Sequence, residues 1–214
     1  AIDDTRGPEL SMSAPQNIIA VIFDFDDTLT DDSTTKLLEQ YGIDPKDFWQ
    51  NRMKELVDAG WDPTPAYMKL ILDNVGKGKP FSDLTNKDLR AFGAKLEFYP
   101  GIPGLFKDLG KIAKQHPLTN PVVEYYVISG GFEEVIRGSK IARYLNGIWG
   151  CRFAAEDADD EGPIRHIKNV VSFTEKTKHV FEINKGLASR QSPYKPYAVN
   201  DGVDDRDRRV PFEN

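Results

Sequence analysis

The chain has 214 residues, 39% of them apolar and 11% aromatic, enough to bury one good core with a small accessory subdomain but not two full domains. Its 28 basic side chains are scattered among 34 acidic ones, for a net charge of −6, so the basic stripe that a phosphate-backbone binder needs is missing and nucleic acid is not an expected partner. No apolar stretch reaches ~18 residues, and the N-terminal tail, residues 1–17, is polar and acidic where a signal peptide would be basic and then apolar, so no membrane association is expected. The single cysteine, Cys151, cannot form an internal disulfide; it reads as a buried small hydrophobe in a reducing compartment, and the cytoplasm is the expected location.

Residues 18 to 23, IIAVIF, form a continuous apolar, β-branched run, the pattern of a parallel strand covered on both faces. The run leads straight into an acidic turn. From 32 to 98 the periodicity becomes helical in four short segments, STTKLLEQYG, PKDFWQNRMKELVDAG, TPAYMKLILDNVG and LTNKDLRAFGAKL, each closed by Gly, Pro or a capping residue. YPGIPGLFKDLGKIAKQH reads as a further helix, and VVEYYVISGG as a second buried strand ending in a glycine turn. Beyond it, GFEEVIRGSKIARYL reads as helical, IWGCRFAAE as a strand, DADDEG as an acidic turn, IRHIKNVVSF as strand-like and TEKTKHVFEINKGLA as a helix. The last 25 or so residues read as loop. Strands alternating with helices predict an α/β fold, a Rossmann-like, mostly parallel sheet flanked by helices, with an all-helical insert after the first strand.

Asp24, Asp26 and Thr28 follow the first strand as D-x-D-x-T. At a strand end, the first and third residues of a tight turn can face one cavity, where two carboxylates resist joint ionisation unless a cation joins them. A hard, oxygen-seeking ion such as Mg²⁺ resolves that conflict and keeps waters and a substrate phosphate as its other ligands. A calcium-binding EF-hand is excluded, because Leu29 occupies the required glycine position and Thr35 that of the closing glutamate. The DADDEG turn fails the same test at Lys168.

A hydrophobic strand followed by D-x-D-x-T, a second strand ending in Ser129, and a lysine at the start of a later helix together resemble the haloacid dehalogenase (HAD) superfamily, over roughly residues 18–214. The resemblance implies a core of residues 18–31 and 99–214 and a helical cap, of the class shared with phosphoserine phosphatases, over 32–98. It makes Asp24 the nucleophile that accepts a phosphoryl group, and Asp26 the acid that protonates the leaving oxygen and then the base that activates water. Mg²⁺ would be held by the Asp24 side chain and the Asp26 backbone carbonyl. Thr28, the Ser129 hydroxyl and the free amides of Gly130 and Gly131 would face the phosphate. The third motif's lysine is Lys176, in the turn before the last helix, with Lys178 as runner-up. Arg52, Lys54 and Lys69 are candidates for substrate contacts from the cap, although a solvated helix face accounts better for each.

A fourth motif should add one or two metal-binding acids after another apolar strand. Asp201 and Asp205 have tempting spacing, but Pro193 and Pro196 make the preceding SPYKPYAV a poor central strand. The closing RRVPFEN resembles the segment that, in one subgroup of the superfamily, comes just before that strand. The expectation is therefore that the natural polypeptide continues past Asn214, with Asp201 and Asp205 as the alternative. The function expected is Mg²⁺-dependent hydrolysis of a small phosphorylated metabolite. Two other readings stand beside it, a HAD enzyme of another reaction type and a non-catalytic phospho-ligand-binding or regulatory module.

Overall fold

The computed structural model describes residues 18–115, 121–156 and 161–186. Among them, four strands form one sheet in the order β1 (Ile18–Phe23), β2 (Val122–Phe132), β3 (Gly147–Ala155) and β4 (Ile164–Asn169). Strand β1 runs parallel to β2 in unbroken register from Ile18 beside Val122 to Phe23 beside Val127, and β2 runs parallel to β3. Strand β4 turns back antiparallel to β3. The sheet is thus mostly parallel, as the alternation of strands and helices predicts. The exception is the β3–β4 pair, whose short acidic link is too brief for the helical crossover that a parallel neighbour requires.

Between β1 and β2 the chain is helical. Helix α1 (Ser33–Gln40) begins at Asp32, whose carboxylate accepts the amides of Thr34 and Thr35 at 3.0 and 3.1 Å, satisfying two of the donors that a helix start leaves free. A π-helical stretch, Asp47–Arg52, runs directly into α2 (Met53–Asp58). Helix α3 (Pro63–Asp73) pairs an Asp62 cap with proline at its first position, where the missing amide costs nothing. Helix α4 (Asn86–Gly93) opens on a reciprocal Thr85–Asp88 capping box. The two ends of this insert are stitched together, since Thr30 Oγ1 donates to the Glu97 carbonyl at 2.6 Å and the Tyr99 amide to the Leu29 carbonyl at 3.0 Å.

Helix α5 (Gly104–Lys114) returns to the sheet and packs Phe106 edge-on against Phe23 and Tyr125, at 5.7 and 5.1 Å between ring centres. After β2 come α6 (Glu133–Gly138), a 3₁₀ turn at Ala142–Tyr144 and, past the β3–β4 pair, α7 (Phe173–Asn184). Helix α4 of the insert crosses α6 at van der Waals range of the backbones. A Cβ on Gly93 would stand 2.0 Å from the Val135 carbonyl oxygen, and one on Gly138 2.0 Å from that of Arg90. One apolar core runs through both parts of the molecule, joining Leu37, Met68, Ile71 and Leu89 of the insert to Val127, Phe132, Ile136 and Phe153 around the sheet.

Three expectations are corrected. The segment read as one helix, GFEEVIRGSKIARYL, breaks at Ser139, which is extended (φ −73°, ψ 157°) because α6 ends where Gly138 is jammed against α4. Strand β2 does not stop at its glycines but continues through them to Phe132, with its register to β3 broken between Ile128 and Phe132. And β1, read as covered on both faces, is an edge strand among the described residues, with Ile18 and Ile19 half exposed at 50% and 49%. Asp201 and Asp205 lie outside the described residues, as does most of DADDEG. No helix among the described residues is long and apolar enough to cross a membrane.

Candidate active site

The parallel pairing of β1 and β2 brings two chain segments together at the C-terminal end of the sheet, the position where open α/β sheets bind ligands. Asp24 follows directly from β1. Its Oδ1 accepts the Phe25 amide at 2.8 Å, and its Oδ2 receives Lys176 Nζ at 2.6 Å from the first turn of α7. Lys178 faces elsewhere and pairs with Glu182 at 3.9 Å, so the structure brings Lys176 to the aspartate and not its runner-up. Helical geometry explains the choice, since residues two apart in a helix point in widely different directions.

The chain then turns sharply. Asp27 has φ +54°, a left-handed conformation that Asp tolerates better than most residues. The turn brings Asp26 beneath the start of α1, where its Oδ1 accepts the Ser33 amide at 2.8 Å. Burial pushes the Asp26 carboxyl up to about 6, against the lowering effect of that hydrogen bond, with Asp32 and Asp24 raising it further. A carboxyl poised there can give and take a proton near neutral pH. Thr28 lies exposed on the same turn, its amide 3.4 Å from the Phe25 carbonyl.

Opposite stands the end of β2. Ser129 is buried and its Oγ accepts the Gly131 amide at 2.9 Å. The Gly131 amide, expected to be free for a phosphate, is therefore taken by the neighbouring hydroxyl; two residues apart, the two groups close a local ring more readily than either reaches a distant partner. Gly131 has a different use: a Cβ there would stand 2.4 Å from Asp26 Oδ2, so only glycine lets the strand lie against the acid. The Gly130 carbonyl accepts from the Tyr67 hydroxyl of α3 and from Cys151 Sγ, the latter at 3.2 Å. Cys151 is buried, and burial pushes its thiol up, in keeping with a packing residue and not a nucleophile.

Asp24, Asp26, Ser129, Gly130 and Lys176 are thus gathered at one end of the sheet. The candidate cap contacts Lys54 and Lys69 are not part of this cluster's bonding; they form exposed ion pairs with Asp58 and Asp73 one turn along their own helices. Residues not singled out in the sequence also take part. Ser33 holds Asp26, Asp32 caps the helix that supplies Ser33, and Tyr67 reaches Gly130. The D-S pair ahead of an amphipathic run is a helix-start signal that could have revealed the first two; nothing local to Tyr67 reveals the third.

A divalent ion fits the donor set in kind. The Asp24 and Asp26 oxygens are hard donors, and the Asp24 side chain, 44% exposed, is accessible from solvent. Among the described residues no cluster of three or more His, Cys, Asp or Glu side chains could hold a metal. One exposed carboxylate, on Asp24, and the backbone carbonyl of Asp26 are oxygen donors of the kind that a hard ion completed by water and a phosphate takes.

Solved structures share this architecture. A HAD-family hydrolase from Salmonella enterica serovar Typhi superposes with a TM-score of 0.57 at 15% identity, over 81% of this chain and 53% of that one. The chain thus spans about half the length of that protein. A phosphoserine phosphatase, solved as an analogue of its phospho-aspartyl intermediate, superposes with a TM-score of 0.55 at 16% identity, over 79% of this chain and 72% of that one. An uncharacterized protein of Borreliella burgdorferi is 33% identical over 221 residues, covering 95% of this chain and 74% of its own. The chain belongs to the family of that protein, and its fold is like that of the HAD-family hydrolase and of the phosphoserine phosphatase. No family model matches the chain.

Proposed function

We propose that this HAD-fold protein is a phosphohydrolase that cleaves a small phosphomonoester through an aspartyl phosphate on Asp24. The observation that carries the reading is the Lys176 ammonium on the Asp24 carboxylate at 2.6 Å, beside a second carboxyl, Asp26, that burial raises to about 6. Two acids of one turn in such different surroundings suit two different roles. The phosphoserine phosphatase of like fold was solved as an analogue of its phospho-aspartyl intermediate, which supports an aspartyl phosphate here.

In this reading Asp24 Oδ attacks phosphorus and the bond to the ester oxygen breaks. Protonated Asp26 gives its proton to the departing alkoxide. Asp26, now a carboxylate, takes a proton from the water that attacks the phosphorus of the aspartyl phosphate, releasing inorganic phosphate and regenerating Asp24. Lys176 offsets negative charge between Asp24 and the phosphoryl oxygens, and the Ser129 hydroxyl donates to one of them. Mg²⁺, held by the Asp24 side chain and the Asp26 backbone carbonyl, would neutralise the charge that the carboxylate and the phosphoryl group bring together. The helical insert serves as the cap that excludes water and selects the substrate, a small phosphorylated metabolite. The lone buried thiol supports a cytoplasmic setting.

Hydrolysis of p-nitrophenyl phosphate tests the proposal. Wild type is expected to turn over with Mg²⁺ and to stop in chelator, and Asp24→Asn to lose on the order of a thousandfold or more. Equal turnover in chelator, or an active Asp24→Asn, would refute the mechanism; absence of turnover in wild type would favour a phosphate-binding module on the same fold.

A further inference from the structure

Tyr67 belongs to α3 of the helical insert, yet it is buried and its hydroxyl donates to the backbone carbonyl of Gly130, in the middle of the Ser129–Gly131 stretch. Its ring lies between Trp49 of the π-helical stretch and Phe132 just past the glycines, with centroids 6.0 and 5.7 Å away. The same glycine stretch is fixed from two other directions. In front, Gly131 lies so close to Asp26 that a Cβ would stand 2.4 Å from the carboxylate. Behind, Cys151 Sγ reaches the Gly130 carbonyl at 3.2 Å, and a Cβ on Gly150 would stand 2.9 Å from the Gly131 carbonyl oxygen. The third side is held by Tyr67.

Burial holds the Tyr67 phenol well above its ordinary value, and Cys151, Asp26 and Asp32 add to the effect. The hydroxyl therefore remains a donor across the accessible pH range. Glycines at two successive positions leave the β2 end with more backbone freedom than any other pair of residues would, and the break in its register to β3 falls in the same place. A side chain from the insert that ties down the carbonyl between them restricts that freedom at the point where it would blur the placing of Ser129 and Gly131 around Asp26.

We propose that Tyr67 is a positioning residue, which couples the seating of the helical insert to the geometry of the Ser129–Gly131 stretch through its hydrogen bond to the Gly130 carbonyl. Its effect on turnover rests on the phosphohydrolase reading; its hold on the backbone does not.

Tyr67→Phe removes the hydroxyl alone and keeps the ring between Trp49 and Phe132. Tyr125→Phe is the control, since it deletes a bond of the same kind, 2.7 Å from a buried tyrosine to the Phe106 carbonyl, away from the acids. Amide hydrogen exchange is measured first, without ligand. Exchange over residues 128–133 is expected to quicken about five- to tenfold in Tyr67→Phe, the factor that one net hydrogen bond represents, and to stay unchanged in Tyr125→Phe. On p-nitrophenyl phosphate, kcat is expected to fall by a similar factor in Tyr67→Phe with KM little changed, and neither to move in Tyr125→Phe. Unchanged exchange over 128–133 overturns the proposal whatever the activity, and quickened exchange with wild-type kcat overturns the positioning role. If wild type shows no turnover, the phosphohydrolase reading fails and exchange alone decides the role of Tyr67.

Discussion

Asp26 carries a cost to the fold that its proposed use in the chemistry would explain. Its carboxyl stands at about 6 in the folded protein against 3.8 for a free one, chiefly through burial. A group raised in this way binds a proton more tightly folded than unfolded. Its contribution is neutral below about pH 4 and becomes a growing penalty as the pH rises to about 6, where it levels off. Asp26→Asn keeps an oxygen for the Ser33 amide and removes the charge. In metal-free buffer the variant is expected to melt higher than wild type at pH 8 and alike at pH 3.5, while losing turnover, as active-site charges commonly trade stability for function. Thermal denaturation at the two pH values checks this; a variant less stable at pH 8 would mean that the carboxylate supports the turn. At this scale the sequence was most legible where spacing alone decides geometry. D-x-D-x-T after an apolar strand placed both acids at the strand end, whereas Lys176, chosen through the family resemblance and read in the turn before the last helix, lies inside the first turn of α7, with its ammonium on Asp24. Tyr67 was not legible, because the partner of its hydroxyl is 63 residues away and is a backbone carbonyl, which leaves no mark on local pattern.

Helices that look alike in sequence differ in what their glycines touch. Gly138 at the end of α6 and Gly110 within α5 both sit where alanine would ordinarily favour a helix by up to about 1 kcal/mol. A Cβ at 110 would meet only the Tyr125 hydroxyl at 3.8 Å, an ordinary contact, whereas one at 138 would stand 2.0 Å from the Arg90 carbonyl oxygen of α4. Gly110→Ala is expected to stabilise the protein by about 0.5–1 kcal/mol, and Gly138→Ala to destabilise it by on the order of 3 kcal/mol through forced separation of α4 from α6. Urea denaturation of the two variants reads the difference; equal effects would show that the crossing is not close-packed. The same contrast explains what the pattern of residues could not convey. The four helical segments of the insert follow from apolar periodicity and capping residues such as Asp32, Asp62 and Thr85. The early end of α6 follows from its tight crossing with α4, which periodicity does not encode, and the π-helical geometry of Asp47–Arg52 is not marked by periodicity either.

Across the whole molecule, two strands far apart in sequence pair side by side and bring the candidate site residues to one end of the sheet. The helical insert between them shares their core and is stitched at its base by Thr30 and Tyr99. The parallel pairing was legible because both runs, IIAVIF and VVEYYVI, are apolar and bracket a helical stretch. The antiparallel return of β4 and the edge position of β1 among the described residues were not, since strand order depends on contacts between elements and not on any one of them. What the assembly is for turns on where a phosphoryl group goes. Acid quenching during turnover of a phosphomonoester with Mg²⁺, followed by mass spectrometry of the peptides, locates it directly. The expected result is a labile phosphoryl group on the peptide containing Asp24, absent from Asp24→Asn; a phosphoryl group on Ser129, or turnover with none on the protein, would contradict the account.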